Sequence, residues 1–134
     1  MQLAIKIIDK SKANSKLHKV YLPRELAILR KLRSNHHPNI IDVPHILDDA
    51  HYCCIIQEFA VNGDLFDYVM ARGKLPEEEA RWFFVQLCSA VAHCHANGII
   101  HRDIKMDNIF LDRGMNVRLG GKKLTYVATY VLAM

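Results

Sequence analysis

The sequence predicts an α+β fold, on three observations. Strand-like apolar runs open the chain, helical periodicity fills its middle, and the two never settle into the regular alternation that a parallel sheet requires. The composition is that of a globular chain: 134 residues, 51% hydrophobic, 24% charged, with a formal charge of +4. Such a length fits one domain able to bury about two-thirds of its unfolded surface, and the balance excludes wholesale disorder.

The elements follow in chain order. Leu3-Ala4-Ile5-Lys6-Ile7-Ile8 reads as a buried strand with one charge at its centre. A lysine between branched apolar neighbours calls for a partner or a phosphate. Leu22, Leu26, Leu29 and Leu32 form one helical stripe from Leu22 to Arg33, with Pro23 suited to the first turn and Glu25 beside the stripe. His36-His37-Pro38-Asn39 is a loop signal, followed by the short apolar run Ile40-Ile41. Cys53-Cys54-Ile55-Ile56 is a second strand, ending at Gln57-Glu58-Phe59-Ala60.

From there the chain turns helical. Asn62-Gly63-Asp64 makes a turn and cap, and Asp64 with Asp67 resembles a capping box for a short helix that ends at Gly73. Pro76 opens a long helix with Glu77, Glu78 and Glu79 in its electropositive first turn. Ala80, Phe83, Leu87, Val91 and Cys94 are its expected buried stripe, and Asn97-Gly98 closes it. Ile99-Ile100 and Ile109-Phe110-Leu111 read as strands around a polar loop, and Val117-Arg118-Leu119 as one more strand.

Several function classes drop out. The 18 Lys and Arg are interspersed with the 14 Asp and Glu, so no face is built for a phosphate backbone and nucleic acid is not an expected partner. The clusters Lys10, Lys12, Lys16, Lys19 and Arg30, Lys31, Arg33 read as solvated helix faces. The 4 cysteines contain no Cys-x2-Cys knuckle, and His93 and His95 around Cys94 point to different helix faces, so zinc is not expected. No apolar run approaches the ~20 residues of a membrane span, and the first residues do not read as a secretory signal. An intracellular setting, cytoplasmic or nuclear, is the expectation, without membrane partners or a disulfide framework.

The loop His101-Arg102-Asp103-Ile104-Lys105-Met106-Asp107-Asn108 concentrates the chemistry. It offers a carboxylate base, a cation for phosphate and an amide oxygen for a metal. The loop resembles the protein-kinase catalytic loop H-R-D-L-x-x-x-N, with Ile104 in the leucine position. Other segments resemble the same family in the same order. Leu3-Ala4-Ile5-Lys6 is similar to the strand motif V-A-I-K, and Glu25 falls on the next helix, where kinases carry the glutamate that pairs with that lysine. His37-Pro38-Asn39-Ile40 resembles the loop after that helix, and Gln57-Glu58-Phe59-Ala60 the hinge between lobes. Lys105 marks the serine/threonine type. The segments Ala4-Ile5-Lys6-Ile7-Ile8-Asp9-Lys10, Leu22-Pro23-Arg24-Glu25 and Val61-Asn62-Gly63-Asp64-Leu65 resemble the calcium/calmodulin-dependent group, and within it the testis-specific serine kinases.

The resemblance implies a protein-kinase-like two-lobe fold with ATP and Mg2+ as cofactors and a protein Ser/Thr hydroxyl as acceptor. Lys6 would hold the α- and β-phosphates, oriented by Glu25. Asp103 would take the hydroxyl proton, Lys105 would neutralise the γ-phosphate, and Asn108 would hold magnesium. The Glu58 carbonyl and Ala60 amide would meet the adenine edge, with Ala4 and Phe110 on either side of the ring. Asp64 would reach the ribose, a role compatible with capping a helix. His101 and Leu29 would be packing residues of the regulatory core.

Departures from the family pattern limit what to expect. The chain opens at the Lys6 strand, so the glycine-rich loop is absent, and nothing of the large lobe follows Met134. Ser34-Asn35-His36 resembles an insertion. Counting from Asn108, the Asp-Phe-Gly magnesium motif falls on Gly121, Lys122 and Lys123. Residues 124–134 resemble no kinase segment, and their β-prone, uncharged wording reads as an aggregation risk without a selected role. The expected organisation is a partial kinase domain over 1–119, with small lobe and hinge at 1–60, the start of the large lobe at 61–119, and an unrelated tail at 120–134. A whole kinase domain is nearer ~250 residues. The chain is therefore expected to be a truncated or mis-spliced product, or a reading frame running into an intron, a kinase by family but inactive alone. A non-catalytic fragment or pseudokinase that acts by binding is the alternative.

Overall fold

The computed structural model describes residues 2–12, 17–121 and 127–133. In chain order the elements are β1 (Gln2–Asp9), a π-helical turn (Leu17–Tyr21), α1 (Leu22–Ser34), β2 (His45–Asp48), β3 (Tyr52–Glu58), α2 (Leu65–Arg72) and α3 (Glu77–Ala96). A 3-10 turn (Met106–Asn108), β4 (Ile109–Leu111), β5 (Val117–Leu119) and β6 (Val127–Ala133) follow. The chain divides into two compact units, one from the described residues of 1–36, 42–59 and 123–134, the other from 37–41 and 60–122. Among the described residues no helix is long and apolar enough to cross a membrane.

The first unit is an antiparallel sheet in the order β2-β3-β1-β6 with α1 packed on it. β1 and β3 pair along their length, with Ile5 opposite Ile56 and Lys6 opposite Ile55. Ile8, Leu22, Leu26, Val43, Cys53 and Ile55 form the core, and Leu29 and Ile46 pack against it. Burying each of the larger aliphatic side chains there contributes about 1.5–3 kcal/mol. Two strands go beyond the sequence expectation. β2 has only Ile46 and Leu47 between polar ends and forms because β3 offers it an edge, with Ile46 opposite Ile55. β6 lies in the segment read as an unrelated tail and pairs with β1 from Gln2↔Ala133 to Ile8↔Val127.

Lys10 does not sit on a solvated helix face. It follows β1 in a turn, its side chain is 11% exposed, and it meets the Asp48 carboxylate at 2.7 Å. Its Nζ also donates to the main-chain oxygen of Asp49.

The second unit joins α2 and α3 to the β4–β5 hairpin. Asp64 caps α2 by accepting from the Asp67 amide at 2.9 Å. The buried stripe of α3 is Phe83, Gln86, Ala90 and Cys94, whereas Ala80 is exposed and Leu87 and Val91 are only half-buried. The expected stripe is turned because a polar residue belongs in it. Gln86 Oε1 accepts from the Asn39 side chain at 2.9 Å and the Val117 amide at 3.0 Å. This ties α3 to β5 and to the 37–41 loop.

That loop continues the hairpin. The Leu119 amide donates to the Asn39 carbonyl at 2.8 Å, and the Ile41 amide to the Leu119 carbonyl at 2.9 Å. His37 also stacks on His93 with ring centroids 4.8 Å apart. Ile99-Ile100 is not a strand. α3 ends in a Schellman motif with Gly98 at φ 68°, its amide bonded to the His95 carbonyl and that of Ile99 to the Cys94 carbonyl, each at 2.9 Å. The chain turns away there, with Ile99 buried and Ile100 exposed.

Candidate functional site

In the first unit, Lys6 sits mid-strand on β1 and its Nζ meets Glu25 Oε1 of α1 at 3.1 Å. The strand buries the lysine stem, since the Lys6 side chain is 10% exposed and that of Glu25 27%. The buried cation has the carboxylate its position demanded. Ala4, two residues earlier, is buried and stands opposite Gln57 of β3. Glu58 ends β3; its amide donates to the Asp42 carbonyl at 2.9 Å, and its carboxylate accepts from the Asp42 amide at 3.1 Å.

In the second unit, Ala60 is buried and its carbonyl accepts from the Gly63 amide at 3.1 Å. Asp64 is buried at the head of α2, bridged through its backbone to Phe110 on β4. Phe110 lies against Gly120, where a Cβ would come within 2.9 Å of the ring. Only a glycine admits that approach without a shift.

The loop between α3 and β4 is held from inside. Asn108, fully buried, donates from Nδ2 to the Asp103 carbonyl at 2.8 Å and to Asp103 Oδ2 at 3.0 Å. Its own amide closes the 3-10 turn on the Lys105 carbonyl at 2.9 Å, while the Lys105 side chain faces solvent. His101 is the second brace. Its Nε2 lies 2.7 Å from the Gly120 carbonyl and its Nδ1 3.3 Å from the Asp103 amide. A carbonyl only accepts and an amide only donates, so the partners assign the proton to Nε2. Arg102 adopts φ 65°, a left-handed conformation that costs a non-glycine residue on the order of 1–2 kcal/mol. The flanking bonds of His101 and Asn108 hold it there.

The magnesium expectation meets a gap in the donor set. Asn108 commits its amide nitrogen to Asp103, so the amide oxygen is its ligand atom. Gly121, where counting from Asn108 puts the family's metal-binding aspartate, brings no side-chain oxygen, and Lys122 and Lys123 lie outside the described residues. Among the described residues no group of three His, Cys, Asp or Glu side chains converges on one point. The residues do not fit the arrangement of two protein ligands that kinases use for their metal ions.

The supporting residues Gln86, Asn39 and Asp112 were not candidates in the sequence. Asp112, at the start of the β4–β5 turn, accepts from the Gly114 and Asn116 amides, each at 2.9 Å, and pairs with Arg118 at 3.1 Å. Burial pushes its carboxyl up, and the Asn116 and Gly114 bonds with the Arg118 guanidinium outweigh it, leaving it below its ordinary 3.8. The Asp-x-Gly-x-Asn spacing was the available signal, that of a side chain satisfying its own turn.

Comparison with known proteins agrees with the loop. The family profile of the protein kinase domain matches residues 1–121. The chain is 44% identical over 119 residues to mouse serine/threonine-protein kinase SIK1, covering 88% of this chain and 15% of that protein. It is 44% identical over 119 residues to chicken serine/threonine-protein kinase SIK2, with 88% and 14% covered. Mouse NUAK family SNF1-like kinase 1 is 41% identical over 117 residues, with 87% and 17% covered. The chain thus spans less than a fifth of each of these relatives. Together with the Lys6–Glu25 pair and the braced Asp103, the profile match over most of its length places this chain in the protein kinase domain family.

Proposed function

We propose that this chain carries the phosphate-holding and catalytic-loop parts of an ATP-dependent protein serine/threonine kinase and does not transfer phosphate by itself. The observation that carries the reading is the amide bridge from Asn108 to the Asp103 carboxylate. It fixes a carboxylate at the end of a buried scaffold, which suits a base for a substrate hydroxyl. In the transfer, the serine or threonine oxygen of a protein substrate attacks the γ-phosphorus and the bond to the β-phosphate oxygen breaks. Asp103 takes the hydroxyl proton, and Lys105 offsets charge on the transferred group. Lys6, aligned by Glu25, holds the α- and β-phosphates. Glu58 and Ala60 are assigned to the adenine edge, Asp64 to the ribose, and Ala4 and Phe110 to the ring faces. The setting is intracellular, cytoplasmic or nuclear, and neither nucleic acid nor membrane is a partner.

Gly121 supports the second half of the proposal. Catalysis here rests on positioning and charge neutralisation, and loss of one such electrostatic stabiliser commonly costs about 3 kcal/mol or more. Incubation with labelled ATP, magnesium and a serine-rich protein is expected to give no transfer above that of Asp103→Ala. Transfer that Asp103→Ala abolishes would establish the kinase and overturn the inactivity. Thermal shift with ATP, compared with Lys6→Met, reports nucleotide binding separately. A shift that Lys6→Met removes supports the second reading, a binding fragment, which the same glycine favours.

A further inference from the structure

The sequence left residues 124–134 without a role, yet β6 pairs with β1 along its whole length. Apart from the paired Lys6, β1 is apolar on both sides of its pleat: Leu3, Ala4 and Ile8 are buried, and Ile5 and Ile7 half-buried. β3 satisfies one edge of this strand. The other edge would present a row of amides and carbonyls on an apolar strand, which is a template for pairing with another chain.

β6 meets that edge in unbroken antiparallel register, with Ala4 opposite Val131, Ile5 opposite Tyr130 and Lys6 opposite Thr129. Its sequence, Val127-Ala128-Thr129-Tyr130-Val131-Leu132-Ala133, has no proline, glycine or charge and is rich in β-branched residues. That wording suits a strand added to an apolar sheet. The match to the kinase profile stops at residue 121, so the strand that covers β1 lies beyond the matched residues.

We infer that the free edge of β1 is a strand-acceptor surface and that residues 127–133 are its resident strand, completing the sheet of the first unit and preventing two copies of the chain from pairing through β1. The ligand class is an extended, uncharged, β-branched segment, bound by main-chain hydrogen bonds. The segment read as an aggregation hazard is, on this account, the protection against one.

The test uses the full chain. Neighbouring amides on a strand point to opposite edges, so of Thr129→Pro and Tyr130→Pro one removes a bond to β1 and the other does not. Hydrogen exchange of the β1 amides on the β6 side is expected to accelerate at least about tenfold in that variant, with the β3-side amides less affected. Sedimentation is expected to detect dimers or larger species in the same variant. A synthetic peptide of residues 127–133 is expected to restore protection. Unchanged exchange in both variants overturns the inference, and so does a peptide that fails to protect.

If proline unfolds the unit outright, a cysteine pair decides. Ala4→Cys with Val131→Cys is expected to cross-link on mild oxidation, and Ala4→Cys with Ala128→Cys is not. Peptide mapping assigns the bridge against the native thiols. Absence of the first cross-link, or equal formation of both, overturns the inference.

Discussion

Asn108 places a single amide group against two oxygens of Asp103, the carbonyl at 2.8 Å and the carboxylate at 3.0 Å. Backbone and side chain of the candidate base are therefore fixed by the same donor. Asn108→Ala removes both bonds from a fully buried position. It is expected to cost about 1–3 kcal/mol in urea unfolding. Exchange of the 101–108 amides should quicken more than that of α3. A stability unchanged within error would mean the bridge does not hold the loop.

The Lys6–Glu25 pair predicts an asymmetry. Glu25→Ala strands a buried ammonium and is expected to destabilise the chain by about 2–4 kcal/mol. Lys6→Met leaves a carboxylate that is 27% exposed and can hydrate, at a cost of about 1 kcal/mol or less. Chemical denaturation of both variants compares the two. Equal losses would contradict the burial argument.

Asp112 gives the acid dependence. Its folded carboxyl lies below its ordinary 3.8, so the unfolded chain takes up the proton first as pH falls. The stability it contributes is complete well above that value and is lost as pH drops through the lower folded value. The stability difference between the native chain and Asp112→Asn should be flat above pH ~5 and shrink below pH ~4. A difference that grows on acidification would reverse the sign.

Thiol reactivity separates the cysteines. Burial and the nearby Asp48 carboxylate push the Cys53 thiol up to about 11 from 9.0. Its thiolate fraction at pH 8 falls about a hundredfold, and the fold shields it as well. Burial also raises Cys94, while Cys88 is exposed. Alkylation of the native chain should label Cys88 first, with Cys53 and Cys94 reacting only on denaturation. Early labelling of Cys53 would mean that the first unit opens readily.

Gly121 invites a gain of function. Among the described residues a Cβ built there meets nothing within 4 Å, which leaves room for a side chain to start. Gly121→Asp is expected to change stability by less than about 0.5 kcal/mol. Titration with Mn2+ should reveal a saturable site that the native chain lacks and that Asn108→Ala removes. No difference in Mn2+ binding would place the missing ligand elsewhere.

Most of the architecture was legible because single residues carry strong local signals. Asp64 and Gly73 bound α2, and Glu77 to Gly98 delimit α3, since caps act within one turn of the residue that makes them. A strand-borne lysine among isoleucines called for a partner or a phosphate, and the family resemblance named Glu25 as that partner. What escaped depended on partners distant in sequence. Gln86 drew no notice in the sequence because nothing nearby shows that Asn39 and Val117 converge on it. β2 has a weak pattern of its own and becomes a strand through the edge of β3, while the β-prone wording of β6 says nothing of the β1 edge it pairs with. Family resemblance supplied the roles of Asp103 and Asn108, and the fold supplied their contact.

Two closures set the order in which the chain can fold. β1 waits for Val127–Ala133, and the 37–41 loop waits for Leu119, so each unit is finished by residues synthesised long after those they join. Chains emerge from the ribosome at about 5–20 residues per second, and contacts this distant in sequence form late and slowly. The helices and the β4–β5 hairpin can assemble locally as they appear. During translation the edge of β1 that pairs with β6 therefore waits several seconds for that strand at the rates above, the interval in which a chaperone would have its strongest claim on this chain.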